Sequence, residues 1–268
     1  METLRCETIE SQGDKNKTPR LNMSHVLLVT GAAGGLGRAI VARAALTDAK
    51  IAVVSRDAQH IVDAFGEAHT HIVADVSTYE GAQLAIKRCV ETLGAPTMLA
   101  HCVGNILLSP VARTTEAQYR DVMRANLDSA FFTLGAFVAA ARTAAIPASA
   151  CFVSTIAAGI GIANHEAVAA AKGGLEAMVR SAAATYAASG MRFNAVAPGL
   201  MDTPAAAKFL SSPALREASA KQYPLGSIGT ADEIAEVMLW LLSDAARRVT
   251  GQTWTVDGGF TAVRPLVR

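Results

Sequence analysis

Aromatic residues make up only 5% of this 268-residue chain and charged residues only 18%. Neither scarcity signals disorder, because 51% of the residues are hydrophobic, enough to fill a large core without disulfides or metals. Charge of one sign is lacking as well: 24 Lys and Arg stand against 23 Asp and Glu, so nothing draws the chain toward nucleic acid or an anionic membrane. No apolar run reaches the roughly 18 residues of a membrane span, and no basic-then-apolar signal peptide opens the chain; a cytoplasmic protein is expected. The cysteines, Cys6, Cys89, Cys102 and Cys151, lack CxxC or Cys/His ligand spacing and read as free thiols of a reducing compartment, with no metal site. Sparse charge on so large a surface suggests that further copies of the chain cover part of it.

Residues 1–22 are polar, mixed in charge and without apolar periodicity, which predicts a flexible extension. Glu2, Glu7, Glu10 and Asp14 argue against a transit peptide, while an internal start at Met23 and a retained leading segment both fit. From 23 to 268 there is neither repeat nor linker, so one domain is expected. Apolar, β-branched runs at 25–30, 51–55, 70–75, 97–103, 148–154, 192–197 and 253–257 read as buried strands. Helical stretches separate them, notably 78–93, 115–144, 165–189 and 231–244. Strands that are apolar throughout, alternating with helices, predict an α/β, doubly wound parallel sheet with helices on both faces.

The first strand runs into TGAAGGLG (30–37), where glycines give way to helical spacing at Leu36, Ile40, Val41 and Ala44. Gly31, Gly35 and Gly37 stand where a backbone turns tightly, approaches a pyrophosphate and packs a helix on a strand, with helix amides facing the phosphates. A mere tight connection is the alternative. About 20 residues on, where an NAD binder places an acid, the chain has Ser55 and Arg56. An arginine there can clamp a 2′-phosphate, which favours NADP(H) over NAD(H); the alternative is a solvated Arg56 paired with Asp57.

TGAAGGLG after a strand, Asp75-Val76 closing the third strand, Asn126 in a long helix, Lys172 in AAAKGGLEA, Asn194 to Gly199 (NAVAPG) and TGQTWTVDGG near the C-terminus together resemble the classical short-chain dehydrogenase/reductase family. The resemblance spans nearly everything from 24 to 260. It implies a Rossmann-type fold and an oxidoreductase moving hydride between a nicotinamide and a carbonyl or alcohol. It also implies cofactor contacts: Gly31, Gly35 and Gly37, with Thr30 and Leu36, at the pyrophosphate; Ser55 and Arg56 at the 2′-phosphate; Asp75 and Val76 at the adenine. Gly104 belongs to the same cleft, Lys172 to the nicotinamide ribose, and Pro198, Gly199 and Thr203 to the nicotinamide. The stretch of about 200–223 corresponds to a substrate lid, whose Phe209, Leu210 and Leu215 fit a partly apolar small-molecule substrate and ordinary helix packing equally well. The alanine-rich helices around 125–145 and 165–188 correspond to family interfaces, hence an expected homotetramer or dimer.

One departure bears on the chemistry. The family carries Tyr-x-x-x-Lys, whose phenol exchanges the proton while the lysine lowers its pKa. Four residues before Lys172 stands Val168, and none of Tyr79, Tyr119, Tyr186 and Tyr223 has a lysine four residues on. The family's serine position falls on Thr155, with Ser154 beside it, and its Asn-Asn-Ala-Gly stretch is His101-Cys102-Val103-Gly104. Asn126 and Lys172 complete the surviving half of the tetrad. On a regular helix His165 shares a face with Val168 and Lys172, one turn beyond the valine, which makes it the first candidate for the proton, ahead of Glu166 and of His101 at the fourth strand's end. A substrate-lining histidine without proton transfer is the alternative. At the level of function, a cofactor-binding protein without turnover and a non-redox dehydratase or cyclase stand as alternatives to the oxidoreductase.

Overall fold

The computed structural model describes residues 25–264; the expected extension, 1–22, lies outside them. Seven parallel strands form the sheet: β1 (Val26–Thr30), β2 (Lys50–Ser55), β3 (Thr70–Val73), β4 (Met98–His101), β5 (Ser149–Val153), β6 (Arg192–Pro198) and β9 (Thr253–Val256). Their order is β3-β2-β1-β4-β5-β6-β9. The helices are α1 (Gly35–Ala44), α2 (Ala58–Phe65), α3 (Tyr79–Leu93), α4 (Glu116–Met123), α5 (Ser129–Thr143), α6 (Glu166–Tyr186), α7 (Pro213–Ala220) and α8 (Ala231–Leu242). Short strands β7 (Met201–Asp202) and β8 (Gly229–Thr230) pair beyond the end of β6 and bracket α7.

The strand residues explain the layering. Side chains alternate across a strand, and in β1 Val26 and Leu28 enter one core with Phe137, Phe152 and Leu175, whereas Leu27 and Val29 enter the other with Ile40, Ile234 and Met238. Every β1 side chain is buried because both sheet faces are covered. Burying each such aliphatic side chain contributes about 1.5–3 kcal/mol. The expected doubly wound sheet with helices on both faces is thus what forms. The chain order reverses between β1 and β4, and such a switch point opens a crevice at the carboxyl ends of the strands.

The helix starts differ in a way that matters for that crevice. Thr78 caps α3 by accepting the Gly81 amide at 3.0 Å, and α4 and α8 carry capping boxes, Thr115 with Gln118 and Thr230 with Glu233. α1 has only Gly34 at its cap, with no side-chain hydrogen bond and no acidic residue in its first turn. Its leading amides therefore face the crevice without a protein side chain to accept them.

The long helix expected over 115–144 is interrupted. α4 and α5 are joined by one wide, π-type turn over Arg124–Asp128. Asn126 lies buried in that turn, its side-chain amide donating to the Val122 carbonyl at 3.1 Å and to Asn105 Oδ1 at 2.7 Å. The side chain takes up a main-chain acceptor one turn back and ties the turn to the loop after β4. α6 also begins later than expected: His165 has φ −108° and ψ 12°, outside the helix, and Glu166 is the first helical residue.

Candidate active site

Two cavities lie at the carboxyl edge of the sheet. The larger, about 540 Å³, is bounded by the β1–α1 turn, the loop after β4, the end of β5, α6 and the segment after β6. The smaller, about 260 Å³, lies over the ends of β2 and β3. They share Gly31, Gly34 and Cys102 to Asn105, so together they form one elongated, two-lobed crevice.

The glycine turn is built for close approach. Gly31 has φ +67°, and a Cβ there would lie 3.0 Å from the Cys102 carbonyl carbon. At Gly37 a Cβ would meet the Ala32 backbone at 2.6 Å, leaving no room for any side chain where α1 packs on the turn. Gly31, Gly35, Leu36 and Gly37 line the larger cavity. Thr30, also expected at the cofactor, does not: it is fully buried beneath the turn, its hydroxyl 2.9 Å from His101 Nδ1. With an uncapped helix start and main-chain amides as its donors, the turn fits an anionic diphosphate.

The smaller cavity gathers Ser55, Arg56, Asp75 and Val76, all singled out from the sequence, together with Asp121 and Arg124, which were not. Asp57 does not pair with Arg56; its carboxylate caps α2, accepting the Gln59 amide at 2.8 Å and the His60 amide at 3.3 Å. Among the described residues Arg56 forms no ion pair, so the alternative of an Arg56–Asp57 pair is set aside. Burial disfavours ionised Asp75, but hydrogen bonds from Ser77 and the charges of Arg124 and Arg56 outweigh it and hold the carboxyl below its usual range. Arg124 itself is held by Asp121 at 3.0 Å. Two guanidinium groups therefore act on this lobe, which suits a ribose phosphate beside a flat heterocycle.

The larger lobe holds Lys172, Thr155, Ser154, Asn126, His165 and Val168, with Gly104, Pro198, Gly199 and Thr203. Lys172 is buried, donates to the Val153 carbonyl at 2.7 Å, and is pushed down to about 8 by burial, against an opposing influence of Cys102. A Cβ at Gly104 would sit 2.7 Å from Asn126 Oδ1 and 3.4 Å from Lys172 Nζ, so glycine keeps this space open. The two hydroxyls at the end of β5 part ways. Ser154 donates to Glu176 on α6 at 2.6 Å, a partner the sequence did not announce. Among the described residues the Thr155 hydroxyl accepts only the Ala157 amide, at 3.3 Å, which leaves its proton free for a ligand.

The candidate proton carriers are also sorted by geometry. His101 is fully buried between Thr30 and Ser129, at 2.9 and 3.1 Å. Ser129 gives its proton to the Ala125 carbonyl, so His101 Nε2 donates to Ser129 and Nδ1 accepts from Thr30. Burial and the charge of Lys172 push it down to about 3; His101 is a neutral core histidine, not the acid/base it was considered for. Glu166 does not line the cavity. His165 does, although it precedes α6, so its place follows from the turn at 163–165 and not from helical spacing. Its Nδ1 lies 2.9 Å from the Ala163 carbonyl and so carries a proton, directing Nε2 elsewhere. Cys102, expected in the core, lines both lobes, while Cys151 is a buried core thiol. Burial pushes the Cys102 thiol up to about 12, against the opposing charge of Lys172.

Of the apolar residues noted at 200–223, Phe209 faces the cavity, Leu210 is buried elsewhere and Leu215 is exposed. Tyr223, unassigned from sequence, lines the cavity too; its hydroxyl accepts the Leu200 amide at 2.7 Å and its ring packs on Gly199 and Phe260.

Residues 31–261 match the model of the enoyl-(acyl carrier protein) reductase family. The chain is 34% identical over 246 residues to a cis-4-hydroxycyclohexanecarboxylate dehydrogenase of Sinomonas cyclohexanicum, covering 89% of this chain and 97% of that protein. It is 32% identical over 248 residues to a cyclohexanol dehydrogenase of Acinetobacter sp. (strain SE19), covering 88% and 95%. Its structure superposes on that of an oxidoreductase of the short-chain dehydrogenase/reductase family from Burkholderia thailandensis with a TM-score of 0.81 at 30% identity, covering 90% of this chain and 94% of that one. A fold, a crevice and relatives of nearly full length agree, and the chain belongs to the short-chain dehydrogenase/reductase family of oxidoreductases.

Proposed function

We propose that the chain is an NADP(H)-dependent oxidoreductase acting between carbonyl and alcohol on a small, partly apolar substrate. The observation that carries this reading is the convergence, in one cavity, of the uncapped start of α1, Lys172, the free hydroxyl of Thr155 and the segment from Pro198 to Thr203. Gly31 to Gly37 hold the diphosphate, Arg56 with Ser55 the 2′-phosphate, and Asp75 and Val76 the adenine. Lys172 holds the nicotinamide ribose, and Pro198, Gly199 and Thr203 the carboxamide end. When bound, the nicotinamide supplies or takes up the hydride.

The remaining work falls to side chains. Thr155 donates a hydrogen bond to the substrate oxygen and polarises it. Ser154, occupied by Glu176, does not share this role. Asn126 fixes the loop at Asn105 and so keeps Gly104 against Lys172. Val168, at the position where the family carries its phenol, has no proton to exchange; protonated His165 gives one from Nε2, while Ala163 holds Nδ1–H and fixes the tautomer left behind. The segment 200–223 serves as the lid over the substrate. Self-association as a homotetramer or dimer is part of the same reading: Phe131 on α5 is exposed, and Trp240 stacks on Trp254 at 5.0 Å with both rings partly bare.

His165→Ala is expected to lower the rate of ketone reduction about tenfold to a hundredfold, with partial recovery on adding free imidazole. An undiminished rate would assign the proton to water. The buried, inert Val168 also supports a second reading, a cofactor-binding protein without turnover, which parts from the first on whether bound NADPH is consumed.

A further inference from the structure

The substrate lobe is nearly free of charge. Ile106, Ile156, Ile162, Met201 and Phe209 are among its walls, and among the described residues the only cationic side chain lining it, apart from His165, is Lys172, already bonded to the Val153 carbonyl. The cations of the lid are engaged elsewhere: Arg216 grips Asp202 through two bonds of 2.6 and 3.0 Å, Lys221 pairs with Glu217 at 2.7 Å, and Lys208 lies over the Phe209 ring, 4.9 Å from its centroid, outside the cavity lining. A carboxylate held in the apolar part of this lobe would lack a counter-ion, and burying an unpaired charge is far more costly than burying a hydrogen-bonded neutral group.

The lid nevertheless presents polar groups to the cavity: Ser219 and Gln222 from the end of α7 and the residues after it, and Tyr223. Among the described residues the Ser219 and Gln222 side chains make no hydrogen bonds, and the Tyr223 hydroxyl, which accepts the Leu200 amide at 2.7 Å, keeps its own proton to donate. Tyr223 lies against Gly199, just beyond β6. β5 and β6 pair with Val153 opposite Val196, so Thr155 is level with Pro198 and the two hydroxyls stand at neighbouring strand ends. Asp257, whose oxygens accept the Gly259 and Thr261 amides, adds negative charge near Tyr223 and pushes its phenol up, as burial does more strongly. The phenol stays a donor, and the local field opposes an anion.

We propose that Ser219, Gln222 and Tyr223 form a specificity subsite that takes a second, neutral hydrogen-bonding group on an apolar ketone or alcohol and rejects a carboxylate at that place. The proposal rests on the oxidoreductase reading and narrows its substrate class. It departs from what similarity to a hydroxycyclohexanecarboxylate dehydrogenase alone would transfer.

Binding is the direct test. Calorimetry on the full chain, with and without NADP⁺, would compare 4-oxocyclohexanecarboxamide, 4-oxocyclohexanecarboxylate and cyclohexanone, probes that differ in one substituent. The carboxamide is expected to bind at least about tenfold tighter than the carboxylate, a difference of about 1.4 kcal/mol, and tighter than cyclohexanone. Tyr223→Phe and, separately, Gln222→Leu should each narrow the lead of the carboxamide over cyclohexanone severalfold. Equal or tighter binding of the carboxylate, a lead unchanged in both variants, or no binding of any probe would overturn the proposal. Failure to bind NADP⁺ while the ranking holds would instead count against the cofactor assignment alone.

Discussion

Lys172→Ala should lower kcat/KM for carbonyl reduction about a thousandfold. The lysine is buried with its ammonium against the Val153 carbonyl, close enough to Gly104 to share the crevice floor with Asn126. On the proposed reading, removal takes away both the ligand of the nicotinamide ribose and a positive charge that lines the substrate cavity. Burial pushes Lys172 down to about 8, so in the cofactor-free protein the charge fades as pH rises past that value. The unfolded chain keeps its lysine protonated to about 10.4. Below pH 8 the folded state therefore holds a desolvated charge that the unfolded state carries in water, a cost of about 3 kcal/mol. That cost is relieved as pH rises from about 8 to about 10.4, because the unfolded state then binds the extra proton. Denaturant midpoints of the cofactor-free protein should show this rising component, and Lys172→Met should lose it. A kcat/KM within tenfold of the parent in Lys172→Ala would remove the lysine from the mechanism.

The second large effect concerns the smaller lobe. Arg56→Glu should shift the ratio of kcat/KM with NADPH to that with NADH by about a hundredfold to a thousandfold toward NADH. Arg56 forms no ion pair among the described residues and its charge acts on Asp75, so it is available to a phosphate in a way that a surface arginine locked to Asp57 would not be. The substitution removes charge-assisted hydrogen bonds and places a carboxylate next to Asp75, repelling a 2′-phosphate while offering an acceptor to ribose hydroxyls. Arg124 remains and sets a floor under the loss. A ratio unchanged in Arg56→Glu would dismiss the clamp and shift attention to Arg124.

What could be read from the amino acids followed physical periodicity. The central strands were legible because a parallel strand covered on both faces is apolar throughout, as Val26 to Thr30 illustrate, whereas the outer strands β3, which buries only Ile72, and β9, which buries no residue, were carried by β-branched and aromatic residues. α2 and α7 escaped notice because they show little or no buried face: α2 buries only Ile61, and α7 buries no residue. The break between α4 and α5 was hidden because residues on both sides of Arg124–Asp128 keep helical spacing, while the wide turn is stabilised by Asn105, 21 residues away from Asn126. In the site, main-chain features were readable, since Gly31 is required by its positive φ and close neighbours and Gly37 by space alone. Side-chain commitments were not. Thr30 meets His101 across 71 residues and Ser154 meets Glu176 across 22, pairings that local spacing cannot announce. Tyr223 arrives from the segment after β6 and was seen in sequence only as a tyrosine without a lysine four residues on.

Hydride transfer itself is tested most directly by a single turnover. The protein would be mixed with one equivalent of NADPH carrying deuterium at the transferable position of nicotinamide C4, then with excess cyclohexanone or its carboxamide derivative. The account predicts stoichiometric loss of the reduced nicotinamide absorbance and deuterium on the carbinol carbon of the product alcohol. Bound NADPH that persists unoxidised with every carbonyl offered would contradict it and place the chain among cofactor-binding members without turnover.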